Sequence, residues 1–433
     1  MTRAVFIESR TRPVTPTGDE LEPRVEREIV ELVRSLVVNL PRSQRRSLLG
    51  DLDLLAAYDL GFVVAHGHVE HDAIRGGPAF DFTALNDTAS VESFFMTPTL
   101  ARAADPQRVF FIPMQMRWVF DYLAERVDVA IIQVARDRDG VLRLGPNVDF
   151  IDAVLSRARV VVAELNHNIV APAGCPRIAQ DVIHCLIETD REIAEMPLPQ
   201  VDDAATEIGR LVAGLIRDGD CLQTGIGAIP AAILGQLDDK NDLGMHGGLI
   251  DDGGMALIRN GNINGSRKPL DTRLHVAGIA MGTRALYEWL ADTPSVSFRG
   301  ADHTHEVGAI RQLPNFVSIN SAVEIDLHGQ INAEVAGGRQ ISGTGGSVDF
   351  MRAAKSSPGG RSIIAMNATA RGGDVSRIVP QVDMVTALRT DVDIVVTEFG
   401  VAHLGGLSSR DRASALTRIA APKFRAGLSD GTL

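Results

Sequence analysis

Cysteine is scarce in this chain of 433 residues: there are three, Cys175, Cys185 and Cys221. They are odd in number and show no Cys-x-x-Cys spacing, which excludes a disulfide framework and points to a reducing compartment. They read as small buried residues. Long apolar runs are missing as well. No uncharged stretch approaches the ~18–20 residues that a membrane helix needs. The opening Met1-Thr-Arg-Ala-Val-Phe-Ile-Glu8 has neither the apolar core nor the cleavage site of a secretory signal. Positive charge is in deficit, with a net charge of −12, which argues against nucleic acid or an anionic membrane as partner. An anionic ligand in a local basic or amide-lined pocket stays open. The nucleotide fingerprints are incomplete too. Gly225-Ile-Gly-Ala-Ile-Pro230 lacks the third glycine of the dinucleotide motif, and no Gly-x-x-x-x-Gly-Lys-Ser/Thr occurs there. A cytoplasmic protein using no nicotinamide or flavin is expected.

Apolar content is 45% and charged content 23%, an ordinary globular balance. The length exceeds what one core usually supports, so two domains are expected. Arg24 to Val38 reads as an amphipathic helix, with Val25, Ile29, Leu32, Val33 and Leu36 at helical spacing. Short apolar runs follow at 60–65, 110–113, 127–134 and 158–165, with helix-like stretches between several of them. That alternation predicts a mainly parallel sheet covered on both faces. The segment 192–203 carries two prolines and no periodicity and marks the boundary between residues 1–195 and 200–433. Beyond it Ile208, Leu211, Val212, Leu215 and Ile216 form a helical stripe, with Asp202 or Asp203 as N-cap and Gly219 as the stop. Then come a strand at 221–224, a glycine turn and a helix beginning near Pro230. Ser342-Gly-Thr-Gly-Gly-Ser-Val-Asp349 is a second such turn leading into a helix. Val395 to Ser408 is a strand running into a loop, with Ser408 and Asp411 as a capping box.

From Phe316 to Glu334 the alternation is of period two. Val317, Ile319, Val323, Ile325 and Leu327 share one face, and Ser318, Asn320, Glu324 and Asp326 the other. This reads as a strand with one buried face, a turn at His328-Gly329-Gln330 and a short return from Ile331. Glycine turns between strand and helix bring backbone N–H groups to one point, where phosphates and oxyanions bind. Two histidine-dense stretches compete for attention. His66-Gly-His68-Val-Glu-His71 is close to a metallohydrolase motif, but Glu70 stands where an aspartate belongs and no later ligand set completes it. Asp302-His-Thr-His-Glu306 reads as a solvated loop near the active site, with a metal site as the lesser alternative. Catalysis without a metal is expected.

Several segments resemble, in order and spacing, the acetyl-CoA hydrolase/transferase family, class I CoA-transferases of the 4-hydroxybutyrate and acetate type. They are Val129-Ala-Ile-Ile-Gln-Val134 with Leu144-Gly-Pro-Asn-Val-Asp149, Gly225 to Pro230, Asp242-Leu-Gly-Met-His246, Val317 to Glu334, Ser342 to Phe350, Val396-Thr-Glu-Phe-Gly-Val-Ala402, and Arg412 to Arg425. The resemblance implies two tandem open α/β domains with the active site in the cleft between them. It maps the catalytic glutamate onto Glu324 and an oxyanion-contacting glycine amide onto Gly400. It maps CoA-binding loops onto Gly225, Ile226 and Gly227 and onto Gly343, Thr344, Gly345 and Gly346. Two departures stand out: residues 1–100 match poorly, and Gly247-Gly248 follows His246 where many relatives have Thr-Glu.

The chemistry so implied moves CoA between an acyl-CoA and a carboxylate through a covalent glutamyl-CoA thioester. A carboxylate, with a reference pKa of about 4.3 for glutamate, needs no separate base to become a nucleophile. The alternatives are an acyl-CoA hydrolase on the same scaffold, a metal-dependent hydrolase using His66, His68 and His71, and a non-catalytic acyl-CoA-binding relative. The resemblance also implies a homo-oligomer, dimer or tetramer.

Overall fold

The computed structural model describes residues 3–6, 63–65, 91–96, 100–102, 107, 109–127, 129–190, 193 and 195–429. The expected helix at 24–38 and the histidines at 66–71 lie outside these residues. The chain divides into two compact units. One takes in Met1–Ile112, Trp118–Met196 and Gly278–Ala301, and the other Pro113–Arg117, Pro197–Ala277 and Asp302–Leu433.

In the first unit the continuous apolar runs become sheet. The strands are β1 (Arg3–Phe6), β2 (Val63–Ala65), β3 (Val129–Arg136), β4 (Leu142–Leu144), β5 (Val160–Val170) and β6 (Cys185–Thr189). Their order is β1-β6-β5-β3-β2, with β4 on β3. The pairs β2–β3, β3–β5 and β5–β6 are parallel, while β1 and β4 are antiparallel additions. Ala130 to Ala135 are all buried, as a strand covered on both faces requires. The run at 110–113 behaves differently. Val109–Phe111 pairs with Val91–Ser93 outside this sheet, and Phe110 is exposed.

The second unit repeats the design more fully. Helix α1 (Asp203–Ala213) starts at Asp202, whose side chain accepts from the Ala205 N–H at 2.8 Å. It ends at Gly214 rather than at Gly219, which lies beyond it at a φ of +83°. Strand β7 (Cys221–Gln223), helix α2 (Ala228–Leu234) and strand β8 (Gly244–Met245) follow. After them come β9 (Phe316–Asn320), β10 (Glu324–Asp326), β11 (Ile331–Asn332), α3 (Ser347–Ser356), β12 (Arg361–Ala365), β13 (Ile378–Val379), β14 (Ile394–Thr397), β15 (Gly400–His403) and α4 (Ser409–Ile419). The sheet runs β8-β7-β9-β12-β14-β15, parallel except for the last hairpin. The Ser408 hydroxyl accepts from the Asp411 N–H at 3.2 Å and donates to its carboxylate at 2.6 Å, so α4 is capped as its sequence predicts.

The long strand expected over 316–334 is broken. β9 lies inside the sheet with both faces covered, so Ser318 is as buried as Val317 and Ile319. The chain then leaves the sheet, and β10 joins a small separate sheet with β11 and β13. The turn between β10 and β11 is closed by the Gly329 N–H to the Asp326 carbonyl at 2.9 Å.

Helix α3 also holds a piece of chain from far upstream. The Arg117 N–H donates to Asp349 Oδ2 at 3.2 Å, and the Gln115 amide, turned nitrogen first, donates to Oδ1 at 3.0 Å. Arg117 Nε pairs with Glu306 at 2.7 Å. Burial pushes the Asp349 carboxyl from an ordinary 3.8 up to about 7, outweighing the Arg117 N–H bond and the charges of Arg352 and Arg117. A carboxyl that holds its proton longer when folded favours the fold fully at pH below about 3.8, and that contribution is lost as pH rises through about 7. Asp349→Asn keeps an acceptor for Arg117 but cannot ionise. Between pH 4 and 7 the urea midpoint of the wild type should therefore fall relative to that of Asp349→Asn. Parallel midpoints across that range would contradict this.

Candidate active site

Glu324 opens β10 opposite Asn332 of β11 and is half-buried. Its Oε2 accepts from Asn332 Nδ2 at 3.2 Å. Asn332 is itself fixed: the same Nδ2 donates to the Val335 carbonyl at 2.8 Å, and its Oδ1 accepts the N–H groups of Glu334 and Val335. The guanidinium of Arg377 donates to the carbonyls of Ala322 and Val323, just ahead of Glu324. Burial lowers its pKa, while the charges of Glu398 and Glu324 raise it. A guanidinium still keeps its proton, so the field of one half-buried positive charge reaches two carboxylates. Glu398 is oriented by the Ala368 N–H, which donates to its Oε2 at 2.8 Å. Gly400 follows two residues later at a φ of +140°, a value that glycine alone adopts without strain.

The glycine turns follow the carboxyl ends of β7 and β8 and lead into α3. In open α/β sheets, ligands bind beside the carboxyl ends of the strands. Gly225 and Gly227 have open space where a Cβ would stand, and Ile226 between them is exposed. The second turn is enclosed. Thr344 Oγ1 donates to the Met114 carbonyl at 3.2 Å, and the Met116 N–H donates to the Gly345 carbonyl at 3.1 Å. A Cβ on Gly346 would lie 2.3 Å from the imidazole of His305, and one on Gly248 would lie 2.9 Å from the same ring. Both backbones therefore rest directly on His305. That ring is buried, stacks on Phe350 at 4.5 Å between centroids, and has Nδ1 2.8 Å from the Thr304 hydroxyl. Burial pushes its pKa down to about 3. Gly247 is tight against Gln223, whose amide pairs with that of Asn320 at 3.1 Å. Gln223 and His305 thus form a common floor beneath the loop that follows β8 and the turn ahead of α3.

The solvated-loop reading of 302–306 is corrected here. Thr304 and His305 are buried and His303 is half-buried, because this segment begins in the short helix Ala301–Thr304 and packs under the glycine turns. Among the described residues, His246, Asp271 and His303 bring ligand atoms within 4.8 Å of one another, close enough to share a metal. Asn332, Arg377 and His305 were missed by sequence reasoning. Arg377 lies far from Glu324 in the chain and carries no local pattern. Histidine density did flag 302–306, but the stacking that buries His305 is a tertiary fact.

Residues 282–432 match the acetyl-CoA hydrolase/transferase C-terminal domain. The 4-hydroxybutyrate coenzyme A transferase of Clostridium kluyveri is 43% identical over 306 residues, covering 70% of this chain and 71% of the relative. The butyryl-CoA:acetate CoA-transferase of Anaerostipes caccae is 36% identical over 319 residues, covering 70% of each chain. The crystal structure of RipA from Yersinia pestis superposes with a TM-score of 0.78 at 34% identity, covering 89% of this chain and 90% of that one. The likeness thus extends well beyond the matched domain, and this chain belongs to the acetyl-CoA hydrolase/transferase family.

Proposed function

We propose that this protein transfers CoA between an acyl-CoA and a carboxylate, with Glu324 as the nucleophile. The observation that carries this reading is the setting of Glu324: a half-buried carboxylate gripped by Asn332 and backed by Arg377. With glycine at 248 that position offers no carboxylate, and Glu324 is the one presented at a strand start with its amide partner fixed. Its attack on the thioester carbonyl breaks the C–S bond, giving an acyl-glutamyl anhydride and CoA thiolate. The thiolate then attacks the glutamyl carbonyl and expels the donor's carboxylate, leaving glutamyl-CoA. An acceptor carboxylate repeats both steps in reverse. Each addition makes an oxyanion, and the Gly400 amide is the proposed donor to it; removing one such donor typically costs ~2.7–4 kcal/mol. The turns at 225–227 and 343–346 are proposed to cradle CoA. No metal takes part in these steps.

A second reading, hydrolysis of the acyl-CoA on the same scaffold, is supported by the relatives, which include an acetyl-CoA hydrolase of Eremothecium gossypii at 26% identity over 386 residues.

Three outcomes test these readings. Glu324→Gln keeps size and loses the nucleophile, so transfer should fall by orders of magnitude while CoA binding persists. Glu324→Asp withdraws the carboxylate by one methylene, on the order of 1 Å, and should lose about 100-fold. Full transfer by either variant would remove Glu324 from the mechanism. Product analysis with and without acceptor separates the activities: transfer predicts new acyl-CoA only with acceptor, whereas free acid and CoA at the same rate without acceptor mean hydrolysis. Gly346→Ala drives a methyl into His305, so KM for the acyl-CoA should rise by about tenfold or more, equivalent to ~1.4 kcal/mol. Adding His305→Ala should restore it. An unchanged KM in Gly346→Ala would take that turn out of the CoA site.

A further inference from the structure

We propose that His246, Asp271 and His303 form a binding site for a divalent transition metal of the zinc class, built from none of the residues assigned to the transfer chemistry. The three residues come from distant parts of the second unit. His246 directly follows β8, Asp271 lies in the loop beyond it, and His303 sits on the short helix Ala301–Thr304. Their ligand atoms lie within 4.8 Å of one another, and His303 Nε2 is 2.8 Å from Asp271 Oδ2. The rings of His246 and His303 are 5.5 Å apart between centroids.

The pointer to a ligand is His246. Its side chain is completely buried, and neither Nδ1 nor Nε2 makes a hydrogen bond of good geometry, a weak approach to the backbone of His303 aside. A neutral imidazole carries one N–H and one lone pair. Leaving a buried donor or acceptor unmet is costly. Aimed at a carboxylate and a second imidazole, that lone pair is in place to bind a cation. Two imidazoles and a carboxylate suit zinc, iron and copper rather than magnesium or calcium.

Zinc bonds of about 2.0–2.1 Å to nitrogen and oxygen set tetrahedral edges of roughly 3.3 Å. The 2.8 Å contact of His303 with Asp271 would have to open by about half an ångström, within side-chain rotation, and the wider edges to close. His303 is partly exposed, which provides an entry path and a side for a fourth ligand from water. One charge opposes the cation. The buried ammonium of Lys268 is held on the carbonyls of Met245 at 3.0 Å and Leu274 at 2.7 Å, and its field reaches both Asp271 and His246. The site should therefore bind more weakly than a closed four-ligand zinc centre.

The test uses the full chain, stripped with chelator and dialysed. Calorimetric titration with Zn²⁺ should show one site per chain. Co²⁺ in its place should give the intense visible bands of a four-coordinate site, and zinc should raise the melting temperature. Asp271→Asn and His303→Ala alter partly exposed groups; each should weaken zinc binding at least tenfold with circular dichroism unchanged. His246→Gln should do the same if it folds. A triple variant at His66, His68 and His71 should bind as the wild type does. No saturable site in the wild type would overturn the proposal and leave a buried water as the partner of His246. Undiminished binding in both Asp271→Asn and His303→Ala, or its loss in the triple variant, would place the metal elsewhere and overturn it equally.

Discussion

One steric constraint organises the second unit: no side chain fits at Gly248 or Gly346, because the ring of His305 already occupies that space. A Cβ at 2.3 Å from a ring atom is far inside van der Waals contact, so either the turn moves or the ring does. The ring has little freedom. It is buried, stacked on Phe350 and tied to Thr304. Phe350 in turn packs with Phe316, Ile310 and Leu313 in the core under α3. The positions of two glycine loops are thus set by a hydrophobic cluster rather than by the loops' own sequence. This is how a loop built of flexible residues becomes a defined binding surface.

A second constraint is electrostatic. Arg377 brings a half-buried positive charge near Glu324 and Glu398 while its donors are spent on two backbone carbonyls. The same arrangement that stabilises the loop ahead of β10 therefore also orients the proposed nucleophile. Asn332 completes it from the other side, fixed by three backbone contacts before it touches Glu324.

Much of the fold was legible in sequence because its strands are parallel and covered on both faces. Continuous runs such as Val129 to Val134 and Val160 to Leu165 have few other readings. Caps at Asp202 and Ser408 were legible for the same local reason: the side chain and the amide it meets are three residues apart. The stretch 316–334 misled where period two was taken for a one-sided strand, since burial of Ser318 depends on the flanking strands at Gln223 and Ser362, far from it in the chain. At the site, glycine positions were visible but their cause was not. Nothing near Gly346 in sequence announces that His305 lies beneath it, and nothing near Glu324 announces Arg377. The cluster of His246, Asp271 and His303 was hidden likewise, since only one of its members lies in a histidine-dense stretch.

The central claim, that Glu324 carries CoA covalently, is tested most directly by trapping. Wild-type protein incubated with acyl-CoA and then treated with borohydride should have one glutamyl thioester reduced to an alcohol. Peptide mass spectrometry should place that change at residue 324. Reduction at Glu334 or Glu398 instead, or no reduction in protein that is turning over, would contradict the account.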